Sequence, residues 1–140
     1  VADLWWTKSA RRALEAYLKS TLDTAGVAMV FPGLGGDESA QQRYVRFSNH
    51  AAPVTVREMG NTPRIEGRGF MKAGIFTKPV DGQDANDALV GIVAQAFPYN
   101  MRLTRDGINV DIGTVDHGDF VISGGWGYSP VDVNWTVLRI

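Results

Sequence analysis

At 140 residues, with 44% hydrophobic and 21% charged side chains, the chain has globular rather than disordered composition. Fourteen basic against fifteen acidic side chains leave a net charge of −1, which argues against a general nucleic-acid binder with its basic excess, though not against a neutral wall past which DNA slides. Cysteine is absent, which excludes disulfides, thiolate nucleophiles and cysteine-based zinc sites.

Residues 4–22 are predicted to form a helix. Ala10, Leu14, Tyr17, Leu18 and Leu22 make one stripe, and Arg11, Glu15 and Lys19 an exposed i, i+4 ladder. Trp5 and Trp6 precede Lys8, Arg11 and Arg12, the reverse of a signal peptide's basic-then-apolar order. The apolar run of residues 26–31 is far short of the ~20 residues that cross a bilayer. Synthesis in the cytoplasm and no membrane partner are therefore expected. Gly26 suits a left-handed cap at the helix end. A short apolar strand follows over residues 27–31, and Gly33-Leu34-Gly35-Gly36 opens a flexible loop.

Residues 43–48 alternate as a strand, with Tyr44 on one face and Val45 and Phe47 on the other. Residues 54–59 alternate again, and Gly60-Asn61-Thr62-Pro63 reads as a turn. A long strand is predicted over residues 65–77, with Met71, Ala73 and Ile75 on one face and Phe70, Lys72 and Phe76 on the other. Two partly apolar faces suggest a strand contacted from both sides, one of them by a neighbouring subunit. Pro79-Val80-Asp81-Gly82 breaks this strand, and Asp81 or Asp84 is expected to cap a second helix. Its predicted stripe is Ala85, Ala88, Leu89, Ile92, Val93 and Ala96, and Phe97-Pro98 ends it. Strands return with Ile108, Val110 and Ile112 alternating, then residues 120–123. Last comes a glycine turn leading to residues 131–138, where Val131, Val133, Trp135 and Val137 share a face opposite Asp132, Asn134 and Thr136. Strands in clusters between two helices predict an α+β fold: a mostly antiparallel β-sheet flanked by two amphipathic α-helices, in a single domain over residues 1–140.

Reactive groups are present but match no catalytic pattern. Gly33-Leu34-Gly35-Gly36 follows a strand, yet Asp37 and Glu38 come where a phosphate loop needs Lys and Ser or Thr. Asp106, Asp111, Asp116, His117 and Asp119 lie close in sequence and could form a metal nest or an acid/base pair, but Asp106-Gly107 and Asp116-His117-Gly118 are turn chemistry. Asp81, Asp84, Asn86 and Asp87 fail the EF-hand spacing. His50 and His117 are the two histidines, and no Gly-x-Ser-x-Gly elbow accompanies them. Arg57, Arg64, Arg68, Lys72 and Lys78, with Phe70 and Phe76, form a basic, aromatic-interleaved stretch diluted by Glu58 and Glu66. Neither catalytic residues nor metal or other cofactors are expected.

The order of elements resembles the tail-terminator and minor-tail proteins of long-tailed bacteriophages. The resemblance runs from the helix at Ser9 through Tyr44-Val45-Arg46-Phe47, the strand through Phe70, Ile75 and Pro79, and the helix closed by Ala96-Phe97. It ends with Gly125-Trp126-Gly127-Tyr128 leading into Pro130-Val131-Asp132-Val133-Asn134-Trp135. Trp5-Trp6 has no counterpart in that pattern. The resemblance implies a non-enzymatic virion protein. It would form a homohexameric ring at the head-proximal end of the tail tube, end tube growth and meet the tail tube and head-completion (connector) proteins. DNA would pass through its lumen without sequence-specific contact. In that reading Arg68, Phe70, Lys72 and Phe76 are the candidate subunit interface, on the argument that an open sheet edge invites pairing, and Gly33, Leu34, Gly35 and Gly36 are the candidate assembly loop. A head-to-tail connector is the nearest alternative, and a small hydrolase or ligand-binding domain a more distant one.

Overall fold

The computed structural model describes residues 5–31, 43–51, 55–56 and 65–139. Helix α1 (Trp5–Ala25) is followed by strands β1 (Ala28–Val30), β2 (Arg43–Ala51), β3 (Thr55–Val56) and β4 (Ile65–Thr77). A single 3-10 turn (Pro79–Asp81) leads into helix α2 (Gly82–Ala96). Strands β5 (Arg102–Arg105), β6 (Ile108–His117), β7 (Val121–Ser123) and β8 (Trp126–Arg139) complete the chain. The glycine loop at Gly33–Gly36, the turn at residues 60–63 and most of the strand expected at 54–59 lie outside the described residues.

The strands form one sheet in the order β1-β2-β4-β8-β6-β5, with β3 beside β4 and β7 beside β8. The fold is α+β as expected, but the sheet is mixed. β1 runs parallel to β2, whereas every other pairing is antiparallel. A parallel neighbour cannot be reached by a tight hairpin, and residues 31–42 separate the two strands in sequence. The expectation of an open edge at the long strand is also corrected. β4 is hydrogen-bonded on one side to β2 and β3 and on the other to β8 along its whole length. Period-two alternation is the same for an interior and an edge strand, so the pattern could not separate them.

Parity sorts the sheet into two faces. Val45, Phe47, Met71, Ala73, Ile75, Val110, Ile112, Val131, Val133, Trp135 and Val137 are buried together with Ala10, Leu14, Leu18 and Leu22 of α1 and Leu89 and Val93 of α2. At roughly 1.5–3 kcal/mol per fully buried large side chain, this cluster is the main stabilising term. Gly26 adopts the left-handed φ of 73° at the end of α1, and its amide bonds Asp23 O. Arg43 donates to Ala25 O at 3.0 Å, which ties the same terminus to β2.

In α2 the buried line is Asn86, Leu89 and Val93, continued by Phe97 past the helix end, and Ala88 is exposed. The apolar stripe is thus rotated from the expected one toward a polar residue. Asn86 Nδ2 donates to Thr77 Oγ1 (3.2 Å), Ile75 O (3.4 Å) and Gly127 O (3.4 Å), joining α2 to β4 and β8. Asp81 stands at the N-cap but makes no side-chain capping bond, so its carboxylate and that of Asp84 act only through their charge near the positive helix end. Trp6 is buried and meets Trp135 edge-on, with ring centroids 6.1 Å apart. A side chain at Gly67 would occupy the space of the Trp6 ring. Trp135 Nε1 donates to Asn49 Oδ1 at 2.9 Å, so its one polar atom is satisfied.

Candidate interaction face

The even-numbered positions of β4 and β8 point away from the buried cluster, as do Tyr44, Arg46, Ser48 and His50 of β2. Strand register arranges them in rows. Tyr44 lies opposite Phe76, which lies opposite Tyr128, which lies opposite Val121. The next rows run Arg46, Gly74, Pro130, then Ser48, Lys72, Asp132, Asp116, then His50, Phe70, Asn134. Arg68 is followed across the sheet by Thr136, Asp111 and Arg102.

An aromatic platform occupies the first row. Tyr44 and Phe76 stack at 4.6 Å with planes 6° apart, and Phe76 meets Tyr128 at 4.8 Å. Trp126 stands edge-on to Tyr44 at 5.0 Å. Tyr44 is only 2% exposed, although it lies on the face opposite the main core. Ring-on-ring contacts of this kind contribute ~0.5–1.5 kcal/mol each beyond area burial. Cations border the platform: the Arg46 guanidinium lies 5.5 Å from the Phe76 centroid, and Lys78 Nζ lies 3.9 Å from that of Trp126. A second stack, His50 on Phe70 at 4.8 Å, lies further along β4.

Between these groups is a concavity of about 300 Å³ lined by Arg46, Ser48, Lys72, Gly74, Phe76, Ser123 and Tyr128. Gly74 keeps it open, because a Cβ there would come within 3.1 Å of Tyr128 and 3.2 Å of Phe76. Five of the seven lining residues carry side-chain hydrogen-bond donors, and no carboxylate lines the wall. The floor is aromatic and the rim carries hydrogen-bond donors.

Three of the candidate interface residues, Phe70, Lys72 and Phe76, are thus on one face with Arg68, and two of them line the same concavity. Tyr44, Trp126 and Tyr128 belong to this assembly but are not among the candidate interface residues. The usable signal was an aromatic at the non-core parity of three separate strands. The acids weighed as a metal nest are dispersed. Asp106 accepts from Ser9 at 3.1 Å, Asp111 pairs with Arg102 at 2.7 Å, and Asp116 accepts from Asn134 at 3.2 Å. The hydrogen bond and then the charge of Asp111 hold the Arg102 guanidinium above its ordinary pKa. Among the described residues no group of three or more His, Cys, Asp or Glu side chains is placed to hold a metal ion. No described helix is long and apolar enough to cross a membrane.

One face of the mixed sheet is buried against its own core, and the other is furnished with stacked rings and cations. Residues 9–135 match the phage tail terminator protein family, and the chain belongs to that family. It is a structural tail protein of the virion, and the family is not one of enzymes. A solved structure superposes with a TM-score of 0.77 across 96% of this chain and 96% of its own, at 18% sequence identity, a likeness of fold alone. No curated protein matches the sequence.

Proposed function

We propose that the chain is the tail terminator itself, closing into a homohexameric ring at the head-proximal end of the tail tube, ending tube growth and joining the tail to the head. The family match over residues 9–135 carries this reading. Its partners are further copies of itself, the tail tube protein below and a head-completion protein above. DNA passes through the lumen without sequence-specific contact, and neither cofactor nor catalysis is involved. A closed ring of identical subunits needs two different, complementary surfaces on each chain. The face carrying Arg68, Phe70, Lys72 and Phe76 is our candidate for one of them. With β4 interior, that contact is made by side chains standing off the sheet and not by strand addition at an edge.

Deleting the gene tests the assignment. Overlong tails that fail to join heads are expected, together with loss of a six-fold ring from images of the tail end. Tails of normal length, joined to heads in the absence of the chain, would refute it.

A further inference from the structure

No carboxylate is among the residues lining the concavity, where Ser48, Lys72, Ser123 and Tyr128 carry side-chain donors. Among the described carboxylates, Glu15, Asp23 and Asp111 are in ion pairs, and Asp106 and Asp116 accept hydrogen bonds. Asp81, Asp84, Asp87 and Asp119 are exposed and engaged by none of these, and the first three lie on a stretch from Pro79 to Ala96 that contains no Lys or Arg. With Leu89 and Val93 turned into the core, the solvent side of α2 presents Asp84, Asp87 and Ala88. Val80, 90% exposed, precedes it as an apolar tip. This ridge is acidic, and the exposed Gln83 and Gln95 stand beside it.

The two surfaces lie on opposite sides of the molecule. The concavity is on the sheet face turned away from the buried cluster, and the acids are on the side of α2 turned away from that same cluster. A chain with complementary patches on opposite sides associates head to tail, with the concavity of one copy receiving the ridge of the next. Patches side by side would favour a two-fold pair instead. Lys72 is the central cation. Asp132 stands opposite it across the strands with a buried Oδ1 that has no hydrogen-bond partner, no ion pair joins the two, and the half-exposed ammonium can reach a carboxylate from outside.

We infer that the acidic ridge of α2, led by Asp84 and Asp87, seats in the aromatic and cationic concavity of the neighbouring copy, with a carboxylate meeting Lys72 and the Ser48, Ser123 and Tyr128 hydroxyls. This names the second surface of the seam and rests on the ring reading given above. Salt weakens the contact in proportion to its exposure, and the aromatic floor supplies the salt-insensitive remainder. Like charges placed across such a contact weaken it by at least about tenfold in the concentration of half-assembly.

Complementary charge reversal tests the pairing. Lys72→Glu and the double variant Asp84→Lys/Asp87→Lys are each purified, and unchanged thermal unfolding at low concentration establishes that they fold. Each is then followed by sedimentation velocity and by incorporation onto tails. Either variant alone is expected to lose assembly, and an equimolar mixture to regain it, because alternating copies restore an opposite-charge contact at every seam. Assembly by either variant alone, or a mixture as unassembled as its parts, overturns the pairing and leaves the ring intact as a reading. A wild-type chain that neither oligomerises nor joins tails refutes the ring itself, a separable result. Undisturbed assembly of Lys72→Glu with loss of retention on a single-stranded oligonucleotide column would reassign the concavity to phosphate and also overturn the pairing.

Discussion

Gly69 illustrates how single atoms position the face. It sits in β4 opposite Ala51, and a Cβ there would press on the His50 carbonyl and come within 2.7 Å of the Trp135 ring. Neither neighbour yields cheaply: one is backbone in a paired strand, and the other is a buried indole held by Asn49. Overpacking of this kind costs ~1–3 kcal/mol. Gly69→Ala is accordingly expected to lower stability by about that amount in urea unfolding, with the slope unchanged. A variant indistinguishable from wild type would mean that the indole shifts freely. Asn86 shows the opposite economy. It is a wholly buried polar side chain whose Nδ2, with its two hydrogens, lies within hydrogen-bond distance of two carbonyls and a hydroxyl across two strands, while its buried Oδ1 has no partner.

At the scale of elements, the β7–β8 hairpin holds Ser123 and Trp126 at the mouth of the concavity. Its turn residues Gly124 and Gly125 have φ of 58° and 79° and join paired Ser123 and Trp126, the two-residue geometry that matches strand twist. Gly125→Ala should cost ~1 kcal/mol, whereas Gly124→Asn should stay near wild type, since Asn tolerates left-handed backbone. Thermal unfolding of both variants decides this; equal losses would show that the turn is not held in that geometry. Elements of this kind were legible because their signals are local. The parity of β4 and β8, the stripe of α1 and the Gly26 cap depend on near neighbours in sequence. Illegible were the parallel β1–β2 pair, the interior position of β4 and the burial of Asn86. Each depends on which distant strand lies alongside, and alternation carries no record of that. The platform escaped for the same reason: Tyr44, Phe76, Trp126 and Tyr128 come from three strands and meet only through register.

For the whole molecule, the two faces of β4 separate folding from assembly. Met71 is fully buried on one face, and Lys72, the next residue, is half-exposed on the other. Truncating Met71 to Ala removes core contacts at a cost of about 2–5 kcal/mol, and the dilute chain should unfold at a lower temperature. Truncating Lys72 to Ala removes no core contact, and the dilute chain should unfold within ~0.5 kcal/mol of wild type. Copies that bind only folded copies stabilise one another by mass action, so the wild-type unfolding temperature should climb with protein concentration. In Lys72→Ala that climb should flatten or vanish, whereas in Met71→Ala it should persist from a lower start. Calorimetric scans across a wide concentration range read both quantities from one experiment. If Lys72→Ala kept the full wild-type climb, the outer face would not be the seam, and the copies would have to meet through surfaces other than this one.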